Sequence, residues 1–159
     1  MKMPRCVRFD ESDARVFPKA ADPGEWAIPG GFVFADADPA ALTQSQRQAF
    51  ANGFLGLTSF GWSTLASVAT ISDVEFAVLA TSLAEHLRDV YGAPDIAVAE
   101  AAAREELAYA ASLCEHPVNT LLSLNRKIEG EHMVEQFRVV PSPGDRQHAR
   151  IWELHSDEQ

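Results

Sequence analysis

Two four-residue signatures constrain this chain more than anything else in it. Thr43-Gln44-Ser45-Gln46 and Ser72-Asp73-Val74-Glu75 both fit a capping box. In that motif a hydroxyl accepts from the amide three residues on, and the later side chain accepts from the first residue's amide. Each therefore marks a helix start. Pro94-Asp95 marks a third, and Gly92 just before it is placed to end the preceding helix in a left-handed conformation. In the first predicted helix Leu42, Gln46, Ala49, Phe50, Gly53, Phe54 and Leu57 share one face. Gly53 and Gly56 weaken its last turn, by about 1 kcal/mol each relative to Ala, and either close packing or early termination would account for their presence. The second runs to Tyr91 with Phe76, Ala80, Leu83, Leu87 and Val90 buried. The third continues to His116-Pro117 on a stripe of Ile96, Ala99, Ala103, Leu107, Ala110 and Cys114. These last two, joined by a few residues, form an antiparallel hairpin.

Strand-like segments flank the helices. Cys6–Phe9 and Arg15–Phe17 alternate, Asp22-Pro23-Gly24-Glu25 signals a turn, and the apolar run Phe32–Ala35 suits a buried strand. Gly61–Ile71 reads as a central strand, because neither of its two faces carries a charge. Asn119–Ile128 and Met133–Val140 flank the hairpin turn Glu129-Gly130-Glu131, and Ala149–Leu154 suits a short edge strand. Strands, helices and strands in this order predict an α+β fold. It is expected as a single domain over 1–159, a mostly antiparallel sheet with about three helices on one face and a polar tail from about 155.

Composition removes several classes of function. The 159 residues are 47% hydrophobic and 23% charged, as in a globular domain. No apolar run reaches the ~20 residues of a spanning helix, and Met1–Cys6 carries no apolar leader. Two cysteines do not make a disulfide framework, so a cytoplasmic location is expected. The net charge of −10 sits in the middle of the chain: residues 20–125 hold three basic and thirteen acidic side chains. A nucleic-acid binder needs a basic stripe, so neither nucleic acid nor an anionic membrane is expected as a partner.

Few constellations carry chemistry. Cys114 and His116 offer a thiol and an imidazole, a nucleophile–base pair or two metal ligands. Residues two apart on a helix point about 200° apart, however, so the thiol is expected in the core and the imidazole away from it. The five histidines show no i,i+4 pair on a helix. Asp36 and Asp38 could hold a divalent cation, or favour the positive end of the next helix. Glu106, nearer the apolar stripe than Glu100, Arg104 and Glu105, could point into a cleft where burial raises its pKa. Trp62 is expected in the core. Trp26 and Trp152 are the candidate surface anchors for a ligand or partner.

At Gly24–Ala27, Phe32–Asp36, Gly61–Thr64 and Ala111–Pro117 the chain resembles a small family of uncharacterised proteobacterial proteins. The resemblance covers most of the chain and implies a bacterial single-domain protein, with no activity, cofactor or catalytic residue to carry across. The first functional expectation is a non-catalytic accessory protein, without a cofactor, that binds a protein partner, a second copy or a small ligand. The alternatives are a small enzyme with a cleft beside helix 95–116, using Glu106, Cys114 and His116, and a divalent-metal protein using Asp36 and Asp38.

Overall fold

Both capping boxes close. In the computed structural model, which describes residues 1–141, the Gln46 amide donates to Thr43 Oγ1 and the Thr43 amide to Gln46 Oε1 (3.2 and 2.8 Å). Ser72 and Glu75 make the same reciprocal pair at 3.1 and 3.2 Å. Around these starts the described chain forms β1 (Lys2–Val7), α1 (Ser12–Val16), β2 (Ala27–Ile28), α2 (Gln44–Asn52), β3 (Phe54–Gly56) and β4 (Trp62–Ser63). There follow β5 (Leu65–Thr70), α3 (Asp73–Tyr91), α4 (Ile96–Ser112), β6 (Leu121–Glu129) and β7 (His132–Val140). Gly92 ends α3 with φ +73°, as its position implied. The fold is α+β, with two antiparallel sheets in place of one: a four-stranded sheet in the order β1-β5-β6-β7 and a three-stranded sheet in the order β2-β3-β4. The described residues form four α-helices, the short α1 being the addition. α4 lies against β1 and β2, α3 packs on α4, and α2 lies against β6.

Four segments depart from the sequence expectation. Arg15–Phe17 is not a strand: Asp10 Oδ1 accepts from the Ser12 amide (2.8 Å) and turns the chain into α1. Phe32–Ala35 is a 3-10 turn, Gly31–Phe34, entered through Gly30 at φ +74°. A short apolar run reads alike as strand or helix, and here only Phe34 is fully buried while Phe32 and Val33 are half-buried. The first predicted helix stops at Gly53, and Phe54–Gly56 becomes β3. The cause is close packing, since a Cβ at Gly53 would lie 2.6 Å from Trp62 Cε3. Gly61–Ile71 is not one strand but two, β4 and β5, in different sheets. The break falls at Thr64, whose hydroxyl donates to the buried Asp13 carboxylate (2.7 Å).

Smaller differences concern helix surfaces and ends. β1 starts before Cys6 and ends at Val7. Val90 and Ile96, placed on buried stripes by spacing, are exposed, while Ala99, Ala103, Leu107 and Ala110 are fully buried as expected. α4 closes at Ser112 rather than continuing to His116. The β6–β7 hairpin forms, with Glu129 paired to His132 across Gly130 at φ +62°. The expected edge strand Ala149–Leu154 lies outside the described residues.

The Gly53 contact generates a prediction. Gly53→Ala is expected to destabilise the protein by about 1–3 kcal/mol, the usual cost of overpacking a core, read as a lower urea midpoint with an unchanged m-value.

Candidate functional site

One face of the β6–β7 hairpin carries Leu122, Leu124 and Arg126 from β6, all buried, and Met133, Glu135 and Phe137 from β7, each partly buried, while Ile128 on the same β6 face is exposed near the turn. Antiparallel register sets Arg126 opposite Glu135. Arg126 Nε donates to Glu135 Oε2 at 2.8 Å, with the guanidinium fully buried and Glu135 nearly so. The other nitrogens of Arg126 reach the main chain. Nη1 donates to the carbonyls of Phe50 (2.6 Å) and Ala49 (3.4 Å), and Nη2 to those of Pro29 (2.6 Å) and Gly53 (3.4 Å). The guanidinium thus satisfies the end of α2, where carbonyls lack helical partners and the dipole favours a cation. It also lies 5.9 Å from the centre of the Phe34 ring. Burial pulls the Arg126 pKa down and Glu135 opposes it, but an arginine stays charged at any ordinary pH.

A cavity of about 530 Å³ opens on the other side of Glu135, within the size range of small-molecule sites. The 3-10 turn supplies Phe32 and Phe34, the hairpin Ile128, Met133 and Glu135, and α4 the pair Glu106 and Tyr109, one turn apart on one face. Gly31 lets the 3-10 turn sit directly on the ion pair: a Cβ there would come within 3.0 Å of Met133 Sδ and 3.1 Å of Glu135 Oε2. The Tyr109 hydroxyl donates to Glu135 Oε1 at 3.0 Å. Burial, followed by the Glu135 charge, pushes the Tyr109 phenol above its ordinary range. Both oxygens of Glu135 are therefore engaged. Glu106 is half-buried, and its carboxyl is raised first by burial, then by the charges of Glu135 and Glu105, with Arg126 opposing.

The residues singled out from the sequence scatter. Glu106 does enter a cleft. Cys114 is buried in a core cluster that also contains Cys6, Phe54 and Leu122, and burial pushes its thiol up to about 11. His116 lies beyond the helix end, half-buried, its carbonyl accepting from Lys2 Nζ at 2.7 Å. Neither lines the cavity, and among the described residues no hydrogen bond joins them. Asp36 and Asp38 are exposed, and Asp38 Oδ1 accepts from the Ala40 amide (3.0 Å). Among the described residues no group of three or more His, Cys, Asp or Glu side chains is placed to hold a metal ion. Trp26 is half-buried against the core, with the Arg5 guanidinium 4.6 Å above its ring. Trp62 is in the core, and Trp152 lies outside the described residues. No described helix is long and apolar enough to cross a membrane.

Sequence reasoning missed Arg126, Glu135 and Tyr109. The signal for the first two was present. Each strand of a recognisable hairpin interrupts an apolar alternation with one charge, of opposite sign on the two strands. Counting back from a two-residue turn at Gly130-Glu131 places them face to face.

The chain belongs to a family of unknown function, DUF6505, whose model matches residues 1–157. This agrees with the resemblance to an uncharacterised family seen in the sequence. No curated protein and no solved structure matches the chain.

Two outcomes follow from the geometry. Arg126→Met takes the cation from Glu135 and its donors from the carbonyls of Pro29 and Phe50, and is expected to cost about 3–5 kcal/mol, as for other broken buried pairs. Adding Glu135→Gln should return part of that loss in a double-mutant cycle by chemical denaturation. Glu106 carries a raised pKa in the folded state, so its contribution favours the fold at acid pH and is lost as pH rises through the folded value. Glu106→Gln is therefore expected to melt above the parent at alkaline pH. The gap should close as pH falls to the ordinary glutamate range.

Proposed function

We propose that this protein is a non-catalytic binder of a small molecule, seated in the cavity between the 3-10 turn, α4 and the β6–β7 hairpin. The observation that carries the reading is the cavity itself: about 530 Å³, walled by Phe32, Phe34, Ile128 and Met133, with Glu106, Tyr109 and Glu135 converging on it. A concave, mostly apolar space with a few convergent polar groups is the usual form of a ligand site. It supports a small ligand over a flat protein interface. Among the described residues the walls hold neither a cysteine nor a histidine, which supports binding over nucleophilic catalysis. The two buried thiols, Cys6 and Cys114, and the acidic charge support a reducing, cytoplasmic setting and a partner other than nucleic acid.

A small enzyme is the second reading, and one observation favours it. The raised Glu106 carboxyl beside a cavity has the character of a general acid. Its reaction would be confined to proton donation from that one group.

Amide-detected NMR titration with neutral aromatic fragments (anisole, indole and 2-phenylethanol) tests the binding reading. Shifts are expected to cluster on Gly31, Phe32, Glu106, Tyr109 and Met133, and to disappear in Ala37→Trp, which fills the space. Fragments that shift only residues elsewhere, or that bind Ala37→Trp equally well, count against it.

A further inference from the structure

Resting on the reading of this cavity as a ligand site, we propose that its ligand is a primary amine, a single ammonium group on a compact apolar body. The first argument is the inventory of hydrogen-bonding groups that the side chains turn toward the space. Glu106 brings a carboxyl engaged in no hydrogen bond among the described residues, and Glu131 brings another at the hairpin turn. The Tyr109 hydroxyl spends its proton on Glu135, so what it offers the cavity is lone pairs. With the carboxyls ionised, the state that a cation between them favours, these groups accept and none of them donates to the ligand. The complementary ligand must bring the N–H groups, and an ammonium brings three.

The second argument is charge. Among the described residues three carboxyl groups, Glu106, Glu131 and Glu135, border the cavity, and no lysine, arginine or histidine does. The nearby guanidinium of Arg126 is fully buried behind Glu135 and already committed to one carboxylate and four carbonyls. An anionic ligand would meet like charge without a free cation to answer it. An ammonium instead relieves the repulsion among Glu106, Glu135 and Glu105 that, with burial, raises the Glu106 carboxyl. The third argument is shape. Phe32, Phe34, Ile128 and Met133 leave the rest of the wall apolar. That suits one charge on a hydrocarbon or aromatic body better than a polyamine, whose further charges would lie against those walls without partners.

Three probes of similar size and different charge separate the possibilities: 2-phenylethylammonium, 2-phenylethanol and phenylacetate, each titrated at pH 7.5 into the whole chain with amide shifts as the readout. The ammonium is expected to move the amides of Phe32, Glu106, Tyr109 and Met133, with a Kd at least about tenfold below that of the alcohol (a factor of ten corresponds to about 1.4 kcal/mol). The carboxylate is expected to leave these amides unmoved. Glu106→Gln should bring the ammonium to within a fewfold of the alcohol while alcohol binding itself persists, which shows that the variant's cavity is intact. Equal affinity for ammonium and alcohol, or tightest binding of the carboxylate, overturns the amine assignment and leaves the ligand-site reading standing. If all three probes leave the cavity amides still, the ligand-site reading falls, and this inference with it.

Discussion

The Arg126 guanidinium holds the structure's separate parts to one another. It is the largest side chain in the fully buried set, and a cation taken so far from water is tolerable only when its donors are met. They are met from three directions: Glu135 on the neighbouring strand, the carbonyls that end α2, and the Pro29 carbonyl just before the 3-10 turn. These segments are remote in sequence and lie in different layers. One planar group with five donors ties the four-stranded sheet to α2 and to the loop that forms the cavity wall. An aliphatic side chain at the same position would bring no donor to those carbonyls.

A buried carboxylate, Glu25, organises another part of the chain by the same means. Glu25 accepts from the amides of Asp22, Thr58 and Ser59 and from the Ser59 hydroxyl, at 2.6–2.8 Å. Burial raises its pKa, but the hydrogen bonds together outweigh burial and leave it below the ordinary range. Glu25 thereby pins the β3–β4 connection, in which Phe60 adopts φ +56° and stacks on His86 with ring centroids 3.6 Å apart. The two charged centres differ in consequence. Glu25 is closed off by its own loop, whereas the Arg126–Glu135 pair has the cavity against one side, and its acidic member faces the space.

Much of the architecture was legible along the chain because it depends on local chemistry. The Thr43 and Ser72 boxes, the left-handed Gly92 and the Gly130 turn each involve partners within a few residues, and all four formed. The small residues of α4 were legible for the same reason, since a helical period places Ala99, Ala103, Leu107 and Ala110 together whatever they pack against. Glu106 was found from its position at the edge of that stripe. The failures share a different cause. Phe32–Ala35 became a 3-10 turn because Gly30 and Gly31 sit against Leu55 and the ion pair, and α2 stopped at Gly53 because Trp62 occupies the space where a Cβ would be. Neither contact is visible at short range.

The sequence by itself determined where the three longer helices begin, where the hairpin turns, which stripe of α4 is buried, and the acidic charge of the chain. Each of these follows from torsional preference, periodicity or counted charge, which act within a few residues or do not depend on position at all. The tertiary structure alone decided that two sheets form from the strands and that Gly61–Ile71 is shared between them. It alone gathered Glu106, Tyr109 and Glu135 around one cavity. Those outcomes rest on contacts between distant segments, above all on a guanidinium whose hydrogen-bond partners lie as far as 97 positions away along the chain.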